Sequence, residues 1–421
     1  MTVTQSTTPR PFFGWRVVAA AFLLAFFGWG FGFYGPPVFL HAVRESRGWS
    51  VALISAAITT HYLVGALTVA NLPAIYARFG HAAVTMAAAL CLGLGFWGWA
   101  VAFEPWQLFA ATILSGSGWA ATSAAGVNAI ISPWFVSRRV AALGLAYNGA
   151  SIGGLIFSPL WVALIGALTF PVAVGAVGAV MIVVVWLLAA LVFAHTPESL
   201  RQTPDGAAPG EPAATVTKAW VRPLPGRALR KNRQLLTLAA GMALGLFAQI
   251  GLVSHLFSLL VPALGARDAG ILMGVATGLA MAGRMIVPWL MPANADRRVA
   301  ASINYAIQIL GSLALLAADG DHVPLLLVGT VLFGFGIGNA TSLPPLIAQV
   351  EFVKEDVGRA VALIVATSQA VYAFSPAFLG LLRDYSFAAN AQPGAAPLLF
   401  AATALVQALA IAAILAGRRR V

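Results

Sequence analysis

Residues 134–144 read Trp134-Phe-Val-Ser-Arg138-Arg139-Val-Ala-Ala-Leu-Gly144, and Arg359-Ala-Val-Ala-Leu363 echoes their second half. The two arginine-led segments, starting at Arg139 and Arg359, lie 220 positions apart. A second pair of landmarks, Arg78 and Arg297, is offset by 219. Two independent landmarks agreeing within one residue indicate an internal duplication in a chain of 421 residues. The stretch after each arginine is apolar and long enough for a helix that crosses a membrane, so the repeated unit is a set of membrane spans.

Working outward from these basic pairs, charge-free stretches divide the first half. They run Arg16 to Arg44, Arg47 to Arg78, Arg78 to Glu104, Glu104 to Arg138, and Arg139 to Glu198, the last broken near Thr169-Phe-Pro171. The second half repeats the pattern from Arg233 to Arg418. About 20 residues cross the hydrocarbon core, which gives twelve spans. Ala, Leu, Gly and Val dominate without strand alternation, so the expected fold is an all-α membrane protein of twelve transmembrane helices in two six-helix pseudo-repeats. The expected divisions are an N-terminal half 1–194, a linker 195–233 and a C-terminal half 234–421. Composition agrees: 60% hydrophobic, 9% charged, mean hydropathy +0.89. A soluble domain carries about 25% charged residues. A soluble enzyme or nucleic-acid binder is therefore excluded despite the net charge of +11.

The basic residues set the expected orientation. With both termini and the even-to-odd loops on one side, nineteen of the 24 lie there, among them Arg78, Arg138, Arg139, Arg297 and Arg359. Arg44, Arg47, Arg267 and Arg383 fall on the other side, and Arg284 on neither. The positive-inside rule makes the rich side cytoplasmic, so both termini are expected there, in a multi-pass protein of a bacterial inner (plasma) membrane. The linker opens as a flexible Pro-rich segment. It ends in the cluster Arg227-Ala-Leu-Arg230-Lys231-Asn-Arg233, expected to lie on anionic lipid. The first span is too long for a removable signal peptide. The single Cys91 excludes an internal disulfide.

At this point the chain resembles the major facilitator superfamily. Leu72-Pro-Ala-Ile-Tyr-Ala77-Arg78-Phe79-Gly80 keeps the Arg-Phe-Gly of the superfamily's loop after span 2, with Ala77 replacing its aspartate. The equivalent Asn294-Ala-Asp296-Arg297-Arg298 retains the acid. The resemblance implies a cytoplasmic gate of Arg78, Arg138, Arg139, Asp296, Arg297 and Arg359. Finer features are similar to the monocarboxylate transporter and oxalate–formate antiporter branch. They are Gly14-Trp15, Gly48-Trp49-Ser50, the Trp134–Gly144 signature, Gly149-Ala-Ser-Ile-Gly153-Gly154, Ser158-Pro159 and Gly283-Arg284. This branch places its substrate arginine where Arg284 falls. Its eukaryotic-type members carry a span-1 lysine and a span-8 acid where this chain has Tyr34 and Ala280. Its oxalate exchangers add a span-11 lysine where this chain reads Thr367-Ser-Gln369-Ala-Val-Tyr372.

From the residues themselves, Arg284 is the one fully charged side chain inside an assigned span. It lies twelve residues from Asp296, about 18 Å along a helix. A central arginine costs about 2.5–3.5 kcal/mol to insert. With no Asp or Glu in any assigned span, its expected counter-ion is a substrate carboxylate, held by a bidentate guanidinium fork. The competing expectation is a structural arginine bonded to helix carbonyls. His255, where the branch's relatives also carry a histidine, is a candidate substrate contact and proton-coupling residue and His61 a proton-coupling candidate, each weighed against a neutral core histidine. Tyr34, Trp119, Phe335, Asn339 and Tyr372 complete the candidate substrate site, and no cofactor or metal is expected.

The expected function is secondary transport of a small organic monocarboxylate anion by alternating access, as exchanger or proton symporter, by a monomer. The alternatives are export of drug-like hydrophobic compounds on the same fold, or a transporter-like membrane sensor. An enzyme is not expected, because no span holds paired carboxylates or a metal-spaced cluster.

Overall fold

The computed structural model describes residues 11–206, 229, 231–292, 295–352, 354–388 and 392–418. The described residues are helical throughout, and the helices resolve into twelve spans. Span 1 comprises Gly14–Gly32 and Gly35–Arg47, broken at Phe33 and Tyr34. The helix Val51–Val101 supplies spans 2 and 3, because Gly80 reverses the chain at φ 76°, ψ 162°. That conformation is essentially open only to glycine. The glycine of Arg78-Phe79-Gly80 is thereby explained. Span 4 is Pro105–Thr122 with Ala124–Ile131, span 5 Arg139–Ala167, and span 6 Phe170–Leu188 with a π turn to Phe193.

The second half repeats the pattern. Arg233–Leu290 supplies spans 7 and 8, parted at Gly265 with φ 74°. Spans 9 and 10 are Arg297–Ala317 and Val323–Glu351. Span 11 breaks into Lys354–Tyr372 and Ser375–Ala388, and span 12 is Pro397–Ala416. The all-α, twelve-helix expectation is met.

Several sequence signatures have packing causes. A Cβ at Gly149 would strike the Phe22 carbonyl, and one at Gly153 would lie 2.5 Å from that of Phe26. These glycines, four apart on one face, let spans 1 and 5 approach backbone to backbone. The Trp134-Phe135 pair receives the start of span 1. Phe135 meets the Trp15 ring at 5.1 Å, and Trp134 meets Phe13 at 5.5 Å between centroids.

The two halves meet unevenly. At the face opposite the termini, the Ala52 N–H donates to Asp384 Oδ2 at 2.8 Å, and the Ala377 N–H to Thr59 Oγ1 at 3.1 Å. In each bond a helix-start N–H of one half is capped by a side chain of the other; at span 2 this adds to the local cap, in which the Leu53 N–H donates to Ser50 Oγ at 3.2 Å. Spans 5 and 8 touch along Gly270, Gly274 and Gly278. Cβ atoms at the first two would meet Val162 at 2.8 Å and the Leu155 carbonyl at 2.9 Å. Toward the terminal face the same helix is uncovered: Met285 and Trp289 are 69% and 81% exposed. The described hydrogen bonds between the halves thus lie at the face opposite the described ends, and among the described residues no ion pair joins the halves at the other face.

Two expectations change here. The start of the proposed linker is docked rather than free: Gln202 Oε1 accepts from the Phe13 N–H at 2.9 Å. Asp205 Oδ2 accepts from Ser137 N–H at 2.8 Å and from Val136 N–H at 3.2 Å. Partial burial pushes the Asp205 carboxyl up, but these backbone bonds outweigh it and hold its pKa below the usual value. Arg383, expected as a loop charge, is instead buried in the last turns of span 11. Of the basic cluster at 227–233, Arg227 and Arg230 lie outside the described residues, as do Arg10, Lys218, Arg222, Arg419 and Arg420, all counted toward the basic face.

Candidate functional site

The break between Phe33 and Tyr34 brings the Tyr34 ring out of span 1 and toward span 8. A Cβ at Gly154 would strike the Tyr34 ring and lie 2.5 Å from Thr277 Cγ2, so these three residues converge on one point. The Tyr34 hydroxyl pairs with Thr277 and lies within electrostatic range of Arg284. Gly154 of the span-5 motif is therefore the gap that admits the tyrosine.

Arg284 is half-buried where the cleft opens, some two turns beyond the last glycine contact at Gly278. Its Nε donates to the Gly338 carbonyl at 3.4 Å, beyond the usual range of a protein hydrogen bond. No acid lies within ion-pair distance among the described residues. The carbonyl-bonded alternative is present in geometry but weak. Beside it, Asn339 is fully buried, and neither its amide nitrogen nor its oxygen has a partner. Its Nδ2 would lie 3.2 Å from a Cβ at Gly283. Buried amide groups are rarely left unbonded, so this pair of orphan atoms marks the spot as incomplete.

The other candidates form two further groups. In the N-half, His61 is buried with Nδ1 2.9 Å from Ser115 Oγ, and its ring is 6.2 Å from Trp119. Trp119 meets Trp29 at 5.2 Å, and a Cβ at Gly32 would strike the Trp119 ring. Tyr62 bridges toward the C-half by meeting Tyr372 at 6.1 Å, edge to face. His255 belongs to the closed face. Its Nε2 is 3.1 Å from the Pro376 carbonyl, Nδ1 has no partner, and Gly380 separates it from the equally unpartnered Ser55 hydroxyl. The structure therefore unites Arg284, Tyr34 and Asn339, and keeps both histidines apart from them. Phe335 is half-buried in span 10 and presents its carbonyl to Gly283. Phe333, with Tyr34, Thr277 and Ile337, lines the small enclosed space of about 10 Å³ above the site.

At the terminal face the gate candidates separate by half. Asp296 caps span 9 through the N–H groups of Arg298 (2.9 Å) and Val299 (3.3 Å), and pairs with Arg418 at 2.5 Å. Partial burial pushes its carboxyl up, but the bond from Arg418 and the two backbone bonds outweigh that and hold it below the usual value. Arg297 donates to the Leu346 carbonyl at 2.7 Å. Arg298, which sequence reasoning passed over, is the hub. It forks onto Glu351 at 2.5 and 2.7 Å and reaches the carbonyls of Ile414 and Gln234, tying spans 7, 9, 10 and 12. The missed signal was the second arginine of Arg297-Arg298, with Glu351 ending the next apolar run. Arg78, Arg138 and Arg139 of the N-half are exposed, and so is Arg359 at the start of span 11 in the C-half. Where the first-half acid would stand, Ala77 lines an open recess of about 500 Å³ with Tyr76, His81 and Ala129.

A scan of protein families matches residues 18–376 to the Major Facilitator Superfamily. The chain belongs to that superfamily. Solved major facilitator structures share the fold at low identity. A mutant of the nucleoside transporter NupG matches with a TM-score of 0.73 and 13% identity, covering 96% of this chain and 100% of its own. The D-xylose–proton symporter matches at 0.66 and 14%, covering 96% and 97%. A bacterial homologue of the human lysosomal transporter Spinster, in an inward-facing and occupied conformation, matches at 0.63 and 15%, covering 97% and 95%. No curated protein matches the chain in sequence. This multi-pass membrane protein thus has the major facilitator transporter fold, and its cargo has to be argued from the residues at the cleft.

Proposed function

We propose that this protein is a secondary transporter of a small organic monocarboxylate, working by alternating access about Arg284. The observation that carries this reading is a half-buried arginine, unpaired by any acid among the described residues, at the depth where the two halves part. Desolvating a guanidinium without a counter-ion is costly, and arginine cannot discharge itself by losing its proton. A carboxylate offers the bidentate geometry that the fork requires. A single cation in the cleft favours a monoanion over a dianion. The solutes after which two of the similar structures are named, a nucleoside and D-xylose, carry no carboxylate, so the fold alone does not transfer a cargo.

With the basic face taken as cytoplasmic, the conformation described is open inward, and His255 or His61 would carry a coupled proton. A second reading, export of drug-like compounds, draws support from the aromatic wall of Trp29, Trp119, Tyr62 and Tyr372. The deciding experiment is thermal unfolding of the purified protein against mono- and dicarboxylates and bulky cations, with Arg284→Ala as control. Monocarboxylates are expected to stabilise the wild type and leave the variant unmoved. Stabilisation by cations and by no carboxylate would replace the reading with drug export. In proteoliposomes Arg284→Lys is expected to fold normally and lose most transport, because a point charge lacks the fork.

A further inference from the structure

The second unpaired arginine lies behind the closed gate. Arg383 is 6% exposed, within Ser375–Ala388. Its Nη1 donates to Ser258 Oγ at 2.5 Å and its Nη2 approaches the Ser258 carbonyl at 3.4 Å. A guanidinium has five N–H donors, so most remain available. No acid lies within ion-pair distance of it among the described residues. The nearest acids are engaged elsewhere: Asp384 accepts from the Ala52 N–H across the gate, and Glu45 faces His41 at 3.8 Å. Beside Arg383 lies a cavity of about 380 Å³ whose lining includes His41, Arg44, Ser258 and Gln392 together with the acids Glu45 and Asp384. That size falls within the range of small-ligand sites.

We propose that Arg383 and this cavity form a second anion site, which receives a small carboxylate at the face opposite the termini when the gate opens. The two bonds that close the gate, Asp384 to Ala52 and Thr59 to Ala377, join the halves at this cavity and beside it. Parting the halves removes the N-half residues His41, Arg44, Glu45 and Val51 from the lining and leaves Arg383, next to the released Asp384, on the wall of the opened vestibule. An anion entering there meets a cation before it reaches Arg284. Arg383 thereby gives the face opposite the termini a carboxylate contact outside the central one at Arg284. The proposal rests on the reading of the protein as an anion carrier.

Phenylglyoxal, which modifies accessible arginines, tests it in proteoliposomes of the full chain, with modification at each arginine read by mass spectrometry. The arms are wild type and Thr59→Val, which removes one gate bond without touching the cavity, each with benzoate, acetate or the neutral benzamide. Arg383 is expected to react faster in Thr59→Val, and benzoate and acetate, but not benzamide, are expected to slow it several-fold. Equal modification of Arg383 under benzoate and benzamide overturns the proposal. So does an Arg383 that stays unreactive in both proteins, since it would then be a permanently buried structural arginine. Arg284 in the same samples reports the central site separately. Carboxylate protection at Arg383 without protection at Arg284 would sink the anchor reading and leave this one standing.

Discussion

At the scale of single residues, the cleft is defined by what lacks a partner. Arg284 has only a 3.4 Å approach to a carbonyl, and Asn339 next to it has none for either polar atom. An unsatisfied buried polar group costs about 1–3 kcal/mol, a cost that folding tolerates where a ligand will complete the bonds. Asn339→Leu is therefore expected to raise the thermal stability of the empty protein, by about 1 kcal/mol, because the orphan amide disappears. The same variant is expected to weaken carboxylate stabilisation. A drop in unfolding temperature with unchanged ligand response would show that Asn339 is a packing residue. The histidines differ in kind: His61 and His255 each have one ring nitrogen bonded, and both stand away from the arginine.

At the scale of helices, small residues decide where spans can touch and so where the cleft ends. Gly270, Gly274 and Gly278 recur every four positions along span 8 and receive span 5 at Val162 and Leu155. Beyond Gly278 no glycine of span 8 meets span 5, and Arg284 there is half-buried against span 10. Gly274→Leu is expected to hold spans 5 and 8 apart at the closed face, since the added side chain meets the Leu155 carbonyl at once. Transport should fall sharply while the helical content is kept. A cysteine introduced at the face opposite the termini, Ala52→Cys with Cys91→Ala, should label faster, and an unchanged labelling rate would count against this helix pair as the gate. The breaks at Tyr34 and between Tyr372 and Ser375 serve the opposite purpose, since each ends a helix inside the bundle and frees side chains from the helical register.

At the scale of the molecule, one face is locked by cross-half caps and the other is open, as alternating access about a midplane site requires. On the proposed reading, a loaded carrier crosses with Arg284 neutralised and an empty one with its half-buried cation unpaired. Counterflow of a transported monocarboxylate in proteoliposomes should therefore exceed net uptake at neutral pH, and equal rates would contradict an arginine-anchored exchanger. Much of this was legible in the chain: the spans from charge-free length, the duplication from Arg139 and Arg359, and Arg284 from its depth. The glycines of span 5 were legible as a motif, though not as the contacts to Phe22 and Phe26. Arg383 was misplaced because a charge near a span end reads the same whether it meets water or Ser258. Arg298 and Glu351 were passed over because they are 53 residues apart and meet only when spans 9 and 10 pack. The sequence by itself determined the membrane environment, the helix count and the face that carries the basic loops, since hydropathy and charge are local sums along the chain. Only the tertiary structure decided which polar atoms find partners and which face is closed, since those depend on distances between residues that the chain order does not hold.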